Sequence, residues 1–268
     1  GGRCVKNVSG YDLCKLFVGA LGTLGVIGEI TLKVHPLPER EVIQVGSFWD
    51  PAKALKLCQS LLHSALFPAA LEILDPHLAS TWTHEIGITH REQAWLILIG
   101  WVGFFEDVRR LIQEGRGAFS RHEVTEDEAC EDGRAQRGWE ILGYFPRYLK
   151  FLPERSVLCR LCLPLAKMEE AVASWQKEVS SPGLQTALSV RPGSGILYGY
   201  LLDACQDEEK AIHALTRLRK WAMDRGGSLI IENAPLWLKD RMDVWGPVGK
   251  ELALMKRLKK HFDPLQVL

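Results

Sequence analysis

The sequence is marked first by three things that it lacks. It has no charge imbalance, because 33 Lys and Arg balance 33 Asp and Glu in 268 residues, so no long-range field draws it to nucleic acid or to an anionic membrane. It has no apolar run near the roughly 20 residues that cross a bilayer, and no signal-peptide pattern. Its seven cysteines are odd in number and show no dense spacing pattern of a disulfide framework, as is typical of a reducing compartment. These absences predict a cytoplasmic protein with no transmembrane segment and no nucleic-acid partner.

The composition is that of a folded protein of about two domains. Hydrophobic residues make up 47% of the chain and charged residues 25%, which is enough to build a sizeable core. The chain opens with Gly1-Gly2-Arg3 and stops at Leu268, directly after an apolar helical pattern. We therefore expect it to be a fragment, cut at both ends.

Apolar periodicity predicts the same six-element order twice. The order is strand, helix, strand, strand, helix, strand, which is the split βαβ pattern of ferredoxin-like folds. We therefore predict an α+β fold in which residues 39–232 form two ferredoxin-like repeats sharing one antiparallel sheet, joined by a polar helical stretch over 126–142. Strands are predicted over 41–48, 70–74, 94–101, 122–125, 157–163, 184–190, 196–202 and 228–232. Helices are predicted over 54–65, 105–112, 168–179, 211–222 and 247–262.

Residues 1–38 differ from the rest, because seven glycines crowd a short apolar stretch. Its central part reads G-x-x-G-x-x-G from Gly19 to Gly25 and continues into a predicted strand over 29–34. Glycines let main-chain N–H groups approach phosphate oxygens, and Thr23 adds a hydroxyl donor. The spacing is not the G-x-G-x-x-G dinucleotide pattern. From the spacing alone, a tight structural turn is at least as well supported as a phosphate site.

Two motifs give this segment a family resemblance. The stretches G-G-R-x-x-K-N-x-x-G-Y-D-L and V-G-A-L-G-T-L-G-V-I, followed by E-I-T-L-K-V-x-P-L-P, resemble the last third of the FAD-binding domain of the vanillyl-alcohol-oxidase (PCMH) type. Within that superfamily they are most similar to the FAD-binding E subunits of bacterial glycolate oxidase. The tail from Met242, with M-D-V-W-G-P and L-M-K-R-L-K, is similar to the closing helix of those subunits.

The resemblance implies a domain division, a cofactor and a set of contacts. Residues 1–38 would be the end of the FAD-binding domain, residues 39–232 an α+β cap domain, and residues 233–268 a segment and helix returning toward the FAD domain. In the family the two glycine turns lie along the pyrophosphate and ribityl of FAD. The implied contacts are Gly10, Tyr11, Gly19, Ala20, Gly22, Thr23, Gly25, Val26 and Ile27.

Two departures from the family pattern weaken this assignment. Many relatives have Ser-Glu where this chain has Ala20-Leu21, so a hydroxyl and a carboxylate are missing from the pyrophosphate side. The family's first phosphate loop, an earlier P-G-x-x-x-G element, is also absent from this sequence.

The resemblance further implies a role and partners. The reaction would be oxidation of a small 2-hydroxy acid such as glycolate, with hydride passing to the flavin. Because the chain has no H-x-H cluster like that of the D subunit, we place the substrate chemistry in a second flavin subunit. The catalytic residues of this chain are unknown. An iron–sulfur subunit is the other implied partner, and the complex can lie at the inner face of the membrane. The alternative is a non-catalytic ferredoxin-like interaction module with structural glycine turns.

Several other residues allow a functional and a structural interpretation. His84, His90 and His122 lack the spacing of a zinc site and are predicted in polar surface segments. Cys159 and Cys162 form C-x-x-C within a predicted strand, where positions three apart face opposite sides, so we predict no metal or redox pair.

Charged and aromatic residues of the second repeat and the tail also leave alternatives open. Arg155, Arg160 and Arg191 could hold a substrate carboxylate but are better explained as strand charges. Trp245 could line the flavin or a domain interface, and Trp95, Trp101, Trp175 and Trp221 are predicted in the core. The basic cluster of Lys256, Arg257, Lys259 and Lys260 is predicted to be a solvated helix face near the C-terminal dipole.

Overall fold

The structure is a computed structural model that divides the chain into two units. The smaller unit joins Gly1–Leu37 to Pro247–Leu268, and the larger unit is Pro38–Gly246. The structure describes residues 10–125, 127–144, 156–179, 184–204 and 207–268. Arg155 lies outside the described residues.

The elements follow the predicted order with few exceptions. The helices are α1 Cys14–Phe17, α2 Pro51–Leu62, α3 Pro76–Ile86, α4 Phe105–Arg121, α5 Asp132–Tyr144, α6 Met168–Glu178, α7 Glu208–Met223, α8 Leu236–Arg241 and α9 Glu251–Phe262. The strands are β1 Arg40–Phe48, β2 Ala70–Leu74, β3 Trp95–Gly103, β4 Asp127–Cys130, β5 Val157–Cys162, β6 Thr186–Arg191, β7 Ile196–Leu201 and β8 Ser228–Asn233.

All of these strands form one antiparallel sheet, and its order confirms the predicted duplication. The order β4-β1-β3-β2-β6-β7-β5-β8 contains one ferredoxin-like arrangement followed by its reverse. The two repeats meet where β2 pairs with β6. That pairing contains only Ile73 with Val190 and Leu74 with Ser189, whereas β1 and β3 pair along nine residues each. We call this short junction the seam.

At one end the seam stops where Pro192 follows the last residue of β6, Arg191. The backbone N–H of Asp75 donates to Leu188 O at 2.9 Å, which continues the register of the two seam pairs. In the other direction, the same register places Arg191 opposite Glu72 and then Pro192 opposite Leu71. Proline has no N–H to donate, so the ladder stops there.

Helices cover the two faces of the sheet unequally. On one face, α2, α4, α6 and α7 pack their apolar sides against both repeats, with Trp101 and Trp175 fully buried. On the opposite face, α3 and α5 cover the first repeat around Trp82. Trp95 is also buried and Trp221 is half-buried, so the predicted tryptophan positions are largely confirmed as core.

Helix α3 was not predicted from apolar periodicity, and it places His84 and Glu85 on a helix rather than in a loop. Its start carries a clear sequence signal, because Asp75 accepts a hydrogen bond from Leu78 N at 3.0 Å and Pro76 occupies the first turn. Gly87 ends it in the left-handed conformation at φ 69°. The many polar residues within the segment make the apolar periodicity of α3 weak in the sequence.

Two strand predictions were wrong: one strand lies at a later position, and the other is absent. The strand expected at 122–125 is β4, at Asp127–Cys130, because α4 continues to Arg121. Residues 25–38 contain no helix or strand, so the strand expected over 29–34 is absent. A strand needs a neighbouring strand for its backbone hydrogen bonds, and the described part of the smaller unit supplies none.

Candidate functional site

The glycine segment of the smaller unit forms a tight turn after α1. Gly19 and Gly22 have φ of 84° and 78°, and Leu21 between them has φ of 52°. Such left-handed conformations cost little for glycine and about 1–2 kcal/mol for other L-residues. Glycine is therefore the favoured residue at positions 19 and 22, whereas Leu21 adopts this conformation at a cost. We call residues 19–25 the glycine turn.

Hydrogen bonds within the glycine turn leave several amides unmatched. Ala20 N donates to Phe17 O at 3.1 Å and Thr23 N donates to Ala20 O at 3.0 Å. In the described parts of the smaller unit, the N–H groups of Gly19, Leu21 and Gly22 donate to no protein acceptor. All three residues are exposed, so these amides can meet a ligand.

The hydroxyl of Thr23, expected to be a phosphate donor, has another partner in this structure. Its Oγ1 donates to Ala20 O at 2.7 Å. It would have to release that carbonyl before it could donate to a ligand. The same residue's carbonyl accepts a hydrogen bond from Lys259 Nζ at 2.9 Å.

The space beside the glycines is open. A Cβ built on Gly10, Gly19 or Gly22 meets no atom within 4 Å, whereas one on Gly25 would lie 3.2 Å from Cε1 of Phe17. The side chain of Tyr11 is almost fully exposed. The unmatched amides and the open side fit a phosphate-bearing cofactor such as FAD lying against the glycine turn.

The other predicted contacts lie along the same segment. Ala20 is half-buried, while Val26 and Ile27 are exposed. Exposed apolar side chains on a turn suit contact with a ring or ribityl chain as well as with protein. Residues 19–27 form one continuous segment after α1, whereas Gly10 and Tyr11 precede α1.

A second group of polar residues lies on the sheet face of the second repeat, opposite α6 and α7. Tyr198 of β7 stands directly across from Arg160 of β5, and the guanidinium carbon of Arg191 is 5.2 Å from the Tyr198 ring centroid. Tyr198 is 8% exposed, and burial raises the pKa of its hydroxyl. Periodicity did not single out Tyr198, because it counts as an ordinary strand aromatic.

Both arginines on this face are ion-paired. Arg160 Nε lies 2.7 Å from Glu232 Oε1, and Arg191 Nε lies 2.9 Å from Glu72 Oε2. Arg191 also donates to Leu142 O at 3.1 Å. Each cation is met by a carboxylate of its own chain, as the strand-charge interpretation predicts.

Glu72 is the most deeply buried charge of this group. It is 4% exposed and accepts a hydrogen bond from the Ser189 hydroxyl. Burial raises the pKa of its carboxyl, and the charge of Arg191 opposes that shift. A cavity of about 500 Å³ at this end of the seam is lined by Glu72, Arg191 and Trp139, among others.

The remaining candidates do not form a site. Cys159 and Cys162 both lie in β5 as free thiols, so their predicted place in a strand is confirmed. Among the described residues, no three His, Cys, Asp or Glu side chains come together as metal ligands. Trp245 is 60% exposed. No helix within the described ranges is long and apolar enough to span a membrane.

Comparison with protein families gives a match over most of the chain. Residues 37–234 match the family described as FAD linked oxidases, C-terminal domain. The chain is 23% identical over 280 residues to the mitochondrial D-lactate dehydrogenase [cytochrome] of Arabidopsis thaliana, covering 99% of this chain and 48% of that protein. It is 27% identical over 280 residues to glycolate oxidase subunit GlcD of Bacillus subtilis, covering 100% and 58%. The chain thus spans about half the length of these curated relatives.

A shorter match has a higher sequence identity. Over 38 residues, 14% of this chain and 11% of the relative, it is 58% identical to glycolate oxidase subunit GlcE of Escherichia coli.

Solved structures show the same fold. An alkyldihydroxyacetonephosphate synthase superposes with a TM-score of 0.62 at 17% identity, covering 98% of this chain and 50% of the other. p-Cresol methylhydroxylase superposes at 0.58 and 15% identity, covering 85% and 52%.

Proposed function

The chain belongs to the family of FAD linked oxidases, by its match to their C-terminal domain, and from this premise we propose that it is an FAD-binding, accessory subunit of a complex that oxidises glycolate or a related 2-hydroxy acid. FAD is the cofactor of this oxidoreductase family. When bound, it supplies the redox chemistry by accepting a hydride. The residues of this chain bind and orient it.

The glycine turn is the observation that carries the proposal. Gly19 and Gly22 adopt conformations that glycine tolerates best, and the space at their Cβ positions is open. The amides of Gly19, Leu21 and Gly22 donate to no protein acceptor among the described residues. Preorganised amides of this kind bind phosphate without a fixed positive charge. We therefore propose that Gly10, Tyr11, Gly19, Ala20, Gly22, Thr23, Gly25, Val26 and Ile27 contact FAD, as the family resemblance implies.

The accessory role is supported by the charges of the second repeat. A subunit that holds the substrate needs a cation for the substrate carboxylate. Arg160 and Arg191 are instead ion-paired with Glu232 and Glu72. A 2-hydroxy acid would have to compete with a built-in carboxylate at either position. This favours substrate oxidation in a partner.

The names of two relatives support a complex of several subunits, and the family resemblance implies the iron–sulfur partner. One relative is named as the D subunit and another as the E subunit of glycolate oxidase. We propose that this chain is the E-type subunit and that it assembles with a second flavin subunit and an iron–sulfur subunit, in the cytoplasm or against the inner membrane face.

Flavin binding can be tested with two glycine variants of the full-length protein. Gly22→Ala places a Cβ in a left-handed conformation, whereas Gly28→Ala meets neither a clash nor a positive φ. We expect flavin absorbance to survive gel filtration in the wild type and in Gly28→Ala, and to fall in Gly22→Ala.

Two other results would change the proposal. A folded but colourless wild-type protein would favour the non-catalytic interaction module. Glycolate turnover by the full-length subunit alone would overturn the accessory role while leaving flavin binding intact.

A further inference from the structure

Lys259, near the end of α9, connects the C-terminal end of the chain to the glycine turn. Its Nζ donates to Thr23 O at 2.9 Å and to Leu268 O at 2.8 Å, and it forms an ion pair with Asp263. An ammonium has three donors, so these three acceptors match its capacity. Lys259 was expected on a solvated helix face, but its side chain is only 30% exposed.

Asp263 folds the last residues of the chain back onto Lys259. Its carboxylate accepts hydrogen bonds from Val267 N at 2.9 Å and from Leu268 N at 3.1 Å. Asp263 is 3% exposed. The hydrogen bond from Lys259 and those from the two amides lower the pKa of this carboxyl to about 2, so it remains ionised at neutral pH. We call residues 263–268 the C-terminal hook.

A second contact joins the same two segments. The rings of Phe17 and Phe262 pack edge to face, with centroids 5.2 Å apart and planes at 74°. Phe17 Cε1 in turn lies 3.2 Å from the position of a Cβ on Gly25. Helix α9 therefore contacts the glycine turn through the Thr23 carbonyl and, by way of Phe17, beside Gly25.

These contacts hold the backbone of the glycine turn. The amide and hydroxyl of Thr23 both bond to Ala20 O, and its carbonyl is held by Lys259. The peptide units on either side of Thr23 are thereby fixed relative to Ala20. We infer that Lys259, supported by Asp263 and the C-terminal hook, is a positioning residue that sets the glycine turn for binding the phosphates of FAD.

The charge distribution separates this role from that of a phosphate ligand. The ammonium of Lys259 is paired with the buried carboxylate of Asp263, so the net charge it offers to an anion is small. Lys259 therefore acts through the backbone of the turn. The inference rests on the proposed function for the identity of the ligand, but the positioning itself is a property of the protein without cofactor.

The test compares Lys259→Met with Lys260→Met in the full-length apoprotein. Lys260 is the next residue along α9 and is exposed. Its replacement by Met removes the same charge as Lys259→Met. FAD affinity is measured by quenching of flavin fluorescence, at a temperature where thermal denaturation shows every variant to be folded. We expect Lys259→Met to weaken FAD binding by about tenfold or more, the size of effect that supporting residues have at metal sites, and Lys260→Met to leave it unchanged.

Salt dependence distinguishes positioning from direct charge attraction. If Lys259 positions the turn, the ratio of wild-type to variant affinity stays constant as salt is raised, whereas a direct attraction to phosphate would be screened. Unchanged affinity in folded Lys259→Met, or an equal loss in Lys260→Met, would overturn the inference.

Amide hydrogen exchange of the apoprotein keeps the test independent of flavin. We expect faster exchange over residues 19–25 in Lys259→Met and wild-type exchange in Lys260→Met. If the wild type binds no FAD but this difference appears, the proposed function is wrong and the positioning role stands. If exchange over residues 19–25 is the same in both variants, the positioning role is wrong.

Discussion

Arg191 Nε lies 2.9 Å from Glu72 Oε2, and this ion pair joins β6 of the second repeat to β2 of the first. The backbone contributes little at this junction, because only two residue pairs connect the strands. The Ser189 hydroxyl adds a second bond to the same carboxylate. Side chains therefore hold much of the seam together.

Replacing Arg191 with Met should destabilise the larger unit. The change leaves Glu72 buried without its cation, and breaking a buried pair typically costs about 3–5 kcal/mol. Because Arg191 is 29% exposed, we expect about 2 kcal/mol. The loss should grow with rising pH, as the stranded carboxyl ionises. Urea denaturation measures the free energy of unfolding.

The matched control is Arg110→Met, which removes an exposed i,i+4 pair with Glu114. Such a pair is worth about 0.3–0.5 kcal/mol. Equal losses for the two variants would show that the seam pair contributes no more than a surface pair.

Asp75 should make stability depend on pH. Burial raises the pKa of its carboxyl from the ordinary value of 3.8 to about 7 in the folded protein. The folded state then binds the proton more tightly than the unfolded state, so stability is full below about pH 4 and falls as pH rises to about 7. At about 1.4 kcal/mol per pKa unit, the fall is at most about 4 kcal/mol.

Asp75→Asn removes this titration while keeping a side-chain oxygen to cap α3. We expect the variant to lose the slope of stability between pH 4 and 7 that the wild type shows. Parallel pH profiles for the two proteins, measured by thermal denaturation, would contradict the prediction.

Gly199 should not tolerate a side chain. A Cβ at this position in β7 would lie 2.1 Å from Cη2 of Trp175, whose side chain is fully buried. We expect Gly199→Ala to cost about 1–3 kcal/mol or more, the usual cost of overpacking. Gly133→Ala, in the first turn of α5 with no atom near its Cβ, should be neutral or slightly stabilising in the same denaturation assay.

The two strand cysteines should not form a disulfide. Cys159 is fully buried and so is shielded from oxidants. Burial also raises the pKa of its thiol to about 12, so it is not a thiolate at neutral pH. We expect mass spectrometry after diamide treatment of the folded protein to find no Cys159–Cys162 bond. Rapid labelling of Cys159 by a thiol reagent before unfolding would contradict its burial.

Local patterns predicted most of the larger unit but missed features that depend on context. The apolar alternation of β3 and the helical spacing in α6 are properties of short segments, and both elements lie where they were expected. Helix α3 was missed because a weak apolar stripe outweighed the Asp75-Pro76 start signal. The strand expected over 29–34 has the right residues, but a strand cannot form without a partner.

The candidate site shows the same division. The glycine spacing pointed to the turn between Gly19 and Gly25, because φ requirements belong to single residues. The role of Lys259 could not be seen, since its contact with Thr23 joins residues 236 positions apart. The pairing of Arg191 with Glu72 could not be seen either. Only this pairing shows that the guanidinium is already bound to a carboxylate of the protein and is not free for a substrate carboxylate.

The sequence by itself determined the family, the alternating elements and the glycines of the glycine turn, because periodicity and backbone preference act over a few residues. The tertiary structure decided which charges are neutralised, which amides stay unmatched and how the C-terminal hook meets the turn. Those outcomes depend on distances between groups remote in the chain, and such distances exist only after the segments have packed.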